Sequence, residues 1–267
     1  LGLKNNFGIN IKNLNSVGKK SSKYKSSPQI EIVSLYNADI SLPLIKNTKK
    51  SKNLLTPKLS FRFNPSDMKN YTTSERTIDA HNAFAINRLG LSDTLESGRS
   101  LTLGLDFKKE RKNNLQEINN YFEFKLATVI RDKDEKLIPN KSTINKKNSN
   151  LFGSVTNKLS ENVKIGYDFS LDNDLNTLEY NDINSTFSIN NIVTKFNFIE
   201  ENGERGDTNI FASSISYELD ENNFLSFETR RNRKLNLTEF YDLVYEYKND
   251  CLTAGIKYKK TYYSDGD

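Results

Sequence analysis

The residues able to do chemistry in this chain are few and poorly placed for it. There is one histidine, His81, and one cysteine, Cys251. A zinc site needs convergent ligands and a Ser-His-Asp relay needs a base with an orienting partner, and a single histidine in a polar stretch offers neither. No GxGxxG, GxxxxGK, CxxC or HExxH motif occurs. Carboxylates pair at strand-like spacing, Asp168 with Asp172 and Glu218 with Asp220. Such pairs suit acid–base or calcium chemistry, and they equally furnish an ordinary polar face. Arg230, Arg231, Arg233 and Lys234 read as a basic turn cluster after the Leu225 stretch. It suits lipid phosphates, and it equally keeps a strand end from aggregating. Neither catalysis, cofactor nor metal is expected.

What the chain has instead is alternation. In LTEFYDLVYEYKNDCLTAGIKYKKTYY, Tyr241, Leu243, Tyr245 and Tyr247 share one face of an extended segment, with Asp242 and Glu246 opposite. After the turn Lys248-Asn249-Asp250, Leu252, Ala254, Ile256, Tyr258 and Tyr262 share a face, against Thr253, Gly255, Lys257 and Lys259. A period of two means strand, and Asn and Asp tolerate the tight turn between. The same rhythm recurs upstream. Leu55, Pro57, Leu59, Phe61 and Phe63 oppose Lys58, Ser60 and Arg62, while Leu101, Leu103, Leu105 and Phe107 oppose Thr102, Gly104 and Asp106. Val163, Ile165, Tyr167, Phe169 and Leu171 oppose Lys164, Gly166, Asp168 and Ser170. Further on, Phe211, Ile215, Tyr217 and Leu219 oppose Glu218, and Leu225 and Phe227 oppose Glu228. Between Tyr180 and Ile183 the phase changes, which predicts a β-bulge.

A strand with one apolar and one charged face sits between a greasy medium and water. The greasy medium is either the core of a soluble sandwich or the lipid around a transmembrane barrel. Composition favours the barrel. The chain is only 35% hydrophobic, yet it holds 13 Tyr and 16 Phe, an aromatic content foreign to disorder. A polar lumen and polar turns account for both. No run of 18 apolar residues occurs, which says nothing against a barrel, whose spans carry about ten alternating residues each. The net charge of +5, spread along the chain, is compatible with anionic sugars or lipid phosphates and equally with solvated faces; no nucleic-acid partner is expected. The reading is all-β: a large antiparallel transmembrane β-barrel, present as an incomplete set of about 12 to 14 strands forming a curved open sheet. Two long polar segments interrupt it, 66–98 and 131–150, and within them 72–98 and 131–150 read as extracellular loops. The first is expected to fold partly inward, because it carries Phe84 and Ile86.

Several stretches resemble the LPS-assembly protein family, the outer-membrane lipopolysaccharide translocon LptD. They are DLVYEYKNDCLTAGIKYKKTYYSDGD at 242–267, YDFSLDNDLNTLEYNDI at 167–183 and FAINRLGLSDTLESGRSLTLGLDF at 84–107. NLNSVGKKSSKYK at 13–25 and LLTPKLSFRFNP at 54–65 add to the likeness. The resemblance implies that residues 1–267 are part of a C-terminal outer-membrane barrel domain, with a lipopolysaccharide-receiving periplasmic domain upstream. It implies lipopolysaccharide and membrane lipids as partners, an LptE-like plug lipoprotein in the lumen, and periplasmic bridge proteins. Lipopolysaccharide would leave laterally between the first and last strands. In better-known members cysteines pair between barrel and periplasmic domain, so the single Cys251 departs from the pattern. The opening at Leu1-Gly2-Leu3 and the stop at Asp267 read as those of a piece of a longer protein.

On this reading Arg62, Asp106, Lys164, Asp168, Glu218, Glu228, Glu246 and Lys257 face the lumen. Leu59, Phe61, Leu101, Leu103, Leu105, Phe107, Tyr167, Phe169, Tyr245 and Ile256 face lipid. Two other readings compete on periodicity alone: a porin-like diffusion channel, and a soluble all-β module binding anionic glycans.

Overall fold

The computed structural model describes residues 2–21, 24–112 and 118–262. All its strands join one antiparallel sheet in which sequence neighbours pair. The strands are β1 Lys4–Ser16, β2 Gln29–Ser41, β3 Leu44–Asn47, β4 Ser51–Asn64, β5 Gly98–Lys112, β6 Ile118–Arg131 and β7 Leu151–Lys158. They continue as β8 Val163–Leu171, β9 Leu178–Ile189, β10 Ile192–Glu201, β11 Thr208–Asp220, β12 Asn223–Asn232, β13 Leu237–Lys248 and β14 Thr253–Thr261. The one helical turn among the described residues is the short 3-10 piece Asn140–Ser142. The fourteen strands match the upper end of the expected range and form an open, curved sheet.

Proline explains the one break in this meander. β2 stops at Ser41 and β3 starts at Leu44, and both pair with β4. Pro57 of β4 lies opposite that gap, where its carbonyl accepts from the Leu42 amide at 3.1 Å. A residue's N–H and C=O point the same way in an antiparallel ladder, so the donor that Pro57 lacks falls where Pro43 has already interrupted the partner. On its other side Pro57 pairs with Leu105 without interruption.

The register sorts every strand into two faces. Rows such as Ile40–Leu59–Leu103 and Phe198–Phe211 run across one face, and Asn37–Arg62–Ser100 runs across the other. The first face is the apolar one, and its large side chains stay exposed: Phe7, Ile9 and Ile11 of β1, Phe61 of β4, Leu103 of β5, Ile215 of β11, Tyr245 of β13 and Ile256 of β14. An apolar face this wide and this exposed has lipid as its natural solvent. The second face carries the loops.

One end carries the longest connections, 65–97 and 132–150, together with 17–28, 172–177, 202–207 and the short turn 233–236. At the opposite end, 190–191 and 221–222 are two-residue turns. Segments 65–97 and 132–150 turn back over the second face. Their Met68, Ile78, Ala83, Leu89, Leu91, Ile138 and Ile144 pack with Ala127, Val129 and Phe152 of β6 and β7, flanked by Tyr71 and Phe84. Leu95 closes a smaller cluster with Val33 and Leu35 of β2. The inward face is therefore not polar throughout, because near the long-loop end of β2, β6 and β7 it is an apolar floor under a folded loop.

Two sequence readings change here. The bulge lies at Glu179, where Leu171 pairs with Leu178 but Ser170 pairs with Tyr180. Tyr180 thus joins Asp182 on the loop-bearing face, and the phase is continuous from there to Ile183. The basic cluster is also divided. Arg230 and Arg231 belong to β12 and point to opposite faces, and only Arg233 and Lys234 lie in the turn.

Candidate functional site: the inward face and its loop cover

The register places Arg62, Asp106, Lys164, Asp168, Glu218, Glu228, Glu246 and Lys257 on the loop-bearing face. It places Leu59, Phe61, Leu101, Leu103, Leu105, Phe107, Tyr167, Phe169, Tyr245 and Ile256 on the other. The inward group is not one site. Arg62 lies in a closed cluster under loop 65–97, and Asp106 pairs with Lys58 at 2.5 Å. Asp168 stands directly opposite Asp182. Glu218, Glu228, Glu246 and Lys257 lie on β11–β14, with Lys257 bonded to Asp242 at 2.8 Å.

The cluster around Arg62 is the most constrained part of the face. Glu96, near the end of loop 65–97, is buried between Arg88 of the same loop and Arg131 of β6. Arg88 Nε donates to Glu96 Oε2 at 2.7 Å and its Nη2 to Oε1, and Arg131 reaches Oε1 at 3.1 and 3.2 Å. Arg62 Nη1 stands 4.0 Å from Oε2. Burial alone would raise the Glu96 pKa, but the charges of Arg88 and then Arg131 outweigh it, and the Arg88 hydrogen bond adds. The carboxyl is held at about 2, against an ordinary 4.5. Three guanidinium groups exceed one carboxylate, and neutral oxygens take several of the remaining donors, while Arg62 Nε and Arg131 Nε are buried without a hydrogen-bond partner. Arg88 bonds Thr102 Oγ1 at 2.9 Å and Ser100 Oγ at 3.0 Å, Arg131 bonds the Ser97 carbonyl at 2.6 Å, and Arg62 bonds the Ile86 carbonyl at 3.2 Å and the Ala85 carbonyl. The arrangement ties the loop to β4, β5 and β6. Arg88 and the acidic end of the segment are visible in the sequence, but their convergence with Arg62 and Arg131 is not, because loop 65–97 has no period to orient it.

Elsewhere the loop is fastened by packing and by single bonds. Gly104 of β5 lies under the Phe84 ring, where a Cβ would come within 2.5 Å of Cε2. Lys58 Nζ stands 4.8 Å from the same ring centroid. Arg205, in loop 202–207, donates to the Ile78 carbonyl at 2.7 Å and stacks over Tyr180, and burial lowers its pKa.

His81 is less isolated than the sequence implies. Its Nε2 lies 3.0 Å from Ser154 Oγ and 3.4 Å from Asp168 Oδ1, and Lys125 Nζ lies 3.3 Å from Nδ1. These are the three residue types of a hydrolytic triad in the wrong geometry. A relay needs serine and carboxylate on different ring nitrogens, whereas here both meet Nε2 and a cation meets Nδ1. His81 fastens the loop to β6, β7 and β8. The expected carboxylate pairs also separate. Asp172 lies in the 172–177 turn, where its Oδ1 accepts from the Asn176 amide at 2.8 Å. Asp220 bonds Asn222 and Asn223 rather than sharing a site with Glu218. Among the described residues, no group of three His, Cys, Asp or Glu side chains is arranged to hold a metal.

A broad antiparallel sheet with an apolar outward face, long loops at one end and a loop-lined inward face defines the wall of an outer-membrane β-barrel. The family model for LptD, LPS transport system D, matches residues 10–223, and the chain belongs to that family. The match takes in the segments 54–65, 84–107 and 167–183, and stops short of 242–267, whose last five residues lie outside the described ones. No curated protein matches the chain. Among solved structures, a triple mutant of Rhodopseudomonas blastica porin aligns with all of this chain and 86% of its own, at 12% identity and a TM-score of 0.40. A structure described as showing asymmetric conductivity of engineered proteins aligns over the same shares, at 13% identity and 0.40.

Proposed function

We propose that this chain forms part of the wall of a translocon that inserts lipopolysaccharide into the outer leaflet of the outer membrane. The observation that carries the reading is the division of the inward face. From β2 to β8 it is covered by loops 65–97 and 132–150. From β10 to β14 it bears an uncovered polar strip including Lys195, Asn197, Ser214, Glu228, Glu246 and Lys257. Sugars and phosphates are best passed along mixed hydrogen-bonding and charged groups that bind weakly and repeatedly, and the strip supplies both signs of charge. In this reading the protein moves its substrate without covalent chemistry. An upstream periplasmic domain delivers the lipid, bridge proteins feed that domain, and an LptE-like lipoprotein sits against the open strip.

Site-specific photocrosslinking in cells tests this. A photoreactive residue at Ser214 or Glu228 of the full-length protein should capture lipopolysaccharide while transport runs. Capture should stop when periplasmic delivery is blocked. Labelling that persists without delivery, or an absence of adducts at both positions, would remove the reading. Discrete ion-conducting steps from the purified protein, with no adducts, would favour a diffusion channel.

A further inference from the structure

We infer that the outward rim of β10–β12 binds the phosphate group of a membrane lipid, through Arg231 and Arg233. The site begins with a cross-strand row: Phe198 of β10 faces Phe211 of β11, which faces Arg231 of β12. All three lie on the apolar outward face. Arg233, in the turn after β12, reaches back over the Phe198 ring with its guanidinium carbon 5.6 Å from the centroid. Phe211, Arg231, Arg233 and Asn236 line one hollow. Asn236 has a left-handed backbone (φ 50°) and its Oδ1 accepts from Arg231 Nη2, which fixes one edge of that guanidinium.

Pairing decides what the hollow takes. Of the four cations in this short stretch, Arg230 is bonded to Glu239 at 2.7 Å and Lys234 is bonded to Asp207. Among the described residues, neither Arg231 nor Arg233 has a carboxylate within ion-pairing reach. Glu200 lies on the same face one row nearer the loops, and its oxygens accept from Asn181 and Asn209. Two unpaired guanidinium forks beside aromatic rings are suited to a tetrahedral oxyanion, which each can meet with two parallel bonds.

Position decides where the anion comes from. The hollow lies at the boundary between the long loops and the apolar band. On its membrane side come Phe196, Ile215 and Phe227, all exposed on the same face. A headgroup phosphate held at Arg231 and Arg233 would lay its acyl chains along these side chains, whereas a free phosphate would gain nothing from them. The long-loop end places this rim in the outer leaflet.

The test uses the full-length protein in detergent, with bisphosphorylated lipid A as probe and native mass spectrometry counting the bound lipid. Arg231→Gln combined with Arg233→Gln should weaken binding at least tenfold, and the paired Lys variant, with charge kept but the fork lost, should lie between. Arg230→Gln, on the opposite face, should bind as the parent does. Heat-modifiable gel mobility confirms that each variant is folded. Equal binding by the parent and a folded Gln pair would overturn the site. Equal binding of dephosphorylated lipid would overturn the phosphate contact, and displacement by millimolar inorganic phosphate would overturn the lipid as ligand. The readout is equilibrium binding at the outward rim, so it stands or falls apart from transport along the inward strip.

Discussion

Glu96 neutralises part of three arginines at once, so it should be the least replaceable polar side chain of the loop cover. Glu96→Gln keeps the shape and leaves Arg88 and Arg131 buried without a counter-charge. Breaking a buried pair in this way costs about 3 to 5 kcal/mol. The expected outcome is early proteolytic cutting within 65–97 and a lowered unfolding temperature, while the strands keep their circular-dichroism signal. Acid should reproduce the effect. The Glu96 pKa is lowered from 4.5 unfolded to about 2 folded, so its contribution is complete above about pH 4.5 and is lost as pH falls towards 2. Loop protection measured by proteolysis or hydrogen exchange should fall through that window in the parent and stay flat in Glu96→Gln. A pH-independent parent would show that the arginines do not hold the loop.

At the scale of the strand, the apolar alternation makes a testable claim about which medium each face meets. Ile215 and Ser214 are neighbours on β11, one outward and one inward on the uncovered strip. Ile215→Arg should cost about 2 to 4 kcal/mol if it lies near the bilayer midplane, and Ser214→Arg should be nearly neutral. Equal losses of folded protein in vesicles would undo the facing. Leu103→Arg belongs with Ile215→Arg, but its neighbour Thr102 is no mild control. Thr102 is fully buried against Arg88, and an added arginine there would face a cluster already rich in positive charge. That distinction marks how far the sequence could be read. Period two fixed the strands, their faces and both long interruptions, because a pleated chain writes its environment into every second residue. Loop 65–97 has no such period: Phe84 signals its partly inward fold, although Ile86 stays exposed, but the meeting of Arg62, Arg88, Glu96 and Arg131 is not legible. The phase break read between Tyr180 and Ile183 arises because an aromatic ring looks apolar in a pattern, although the Tyr180 hydroxyl bonds Asp182 at 3.2 Å inside. The loop cover has its own test. Gly104→Leu would displace Phe84 from the sheet, so a cysteine at Asn82, which is half-buried and whose side-chain oxygen accepts from the Asp79 amide, should react faster with a membrane-impermeant thiol reagent outside intact cells. In the parent, Glu75→Cys at the exposed loop surface should react faster than Asn82→Cys. Reaction of Glu75→Cys only after permeabilisation would invert the assigned topology.

At the scale of the whole sheet the open question of geometry is its two edges. Among the described residues β1 pairs only with β2, and β14 only with β13. The backbone groups on the outer side of each edge have no ladder partner, yet the flanking apolar side chains are those of a lipid-facing wall: Phe7, Ile9 and Ile11 on β1, Ile256 and Tyr258 on β14. In hydrocarbon each unmet N–H or C=O costs several kcal/mol, so an open sheet is not tolerated there, and we propose that further strands meet the two edges. Cys251, exposed at the turn before β14, does nothing to clamp that edge among the described residues. The 267 residues on their own should therefore fail to form a stable barrel. Refolded in detergent, they should show no heat-modifiable shift on gels and no discrete conductance, and should aggregate through β1 and β14 as detergent is removed. Lysine placed at Ile9 and Ile256 should slow that aggregation by charging both edges. A folded, heat-modifiable monomer with stable conductance steps would mean instead that β1 and β14 meet, and that these strands close by themselves into a pore.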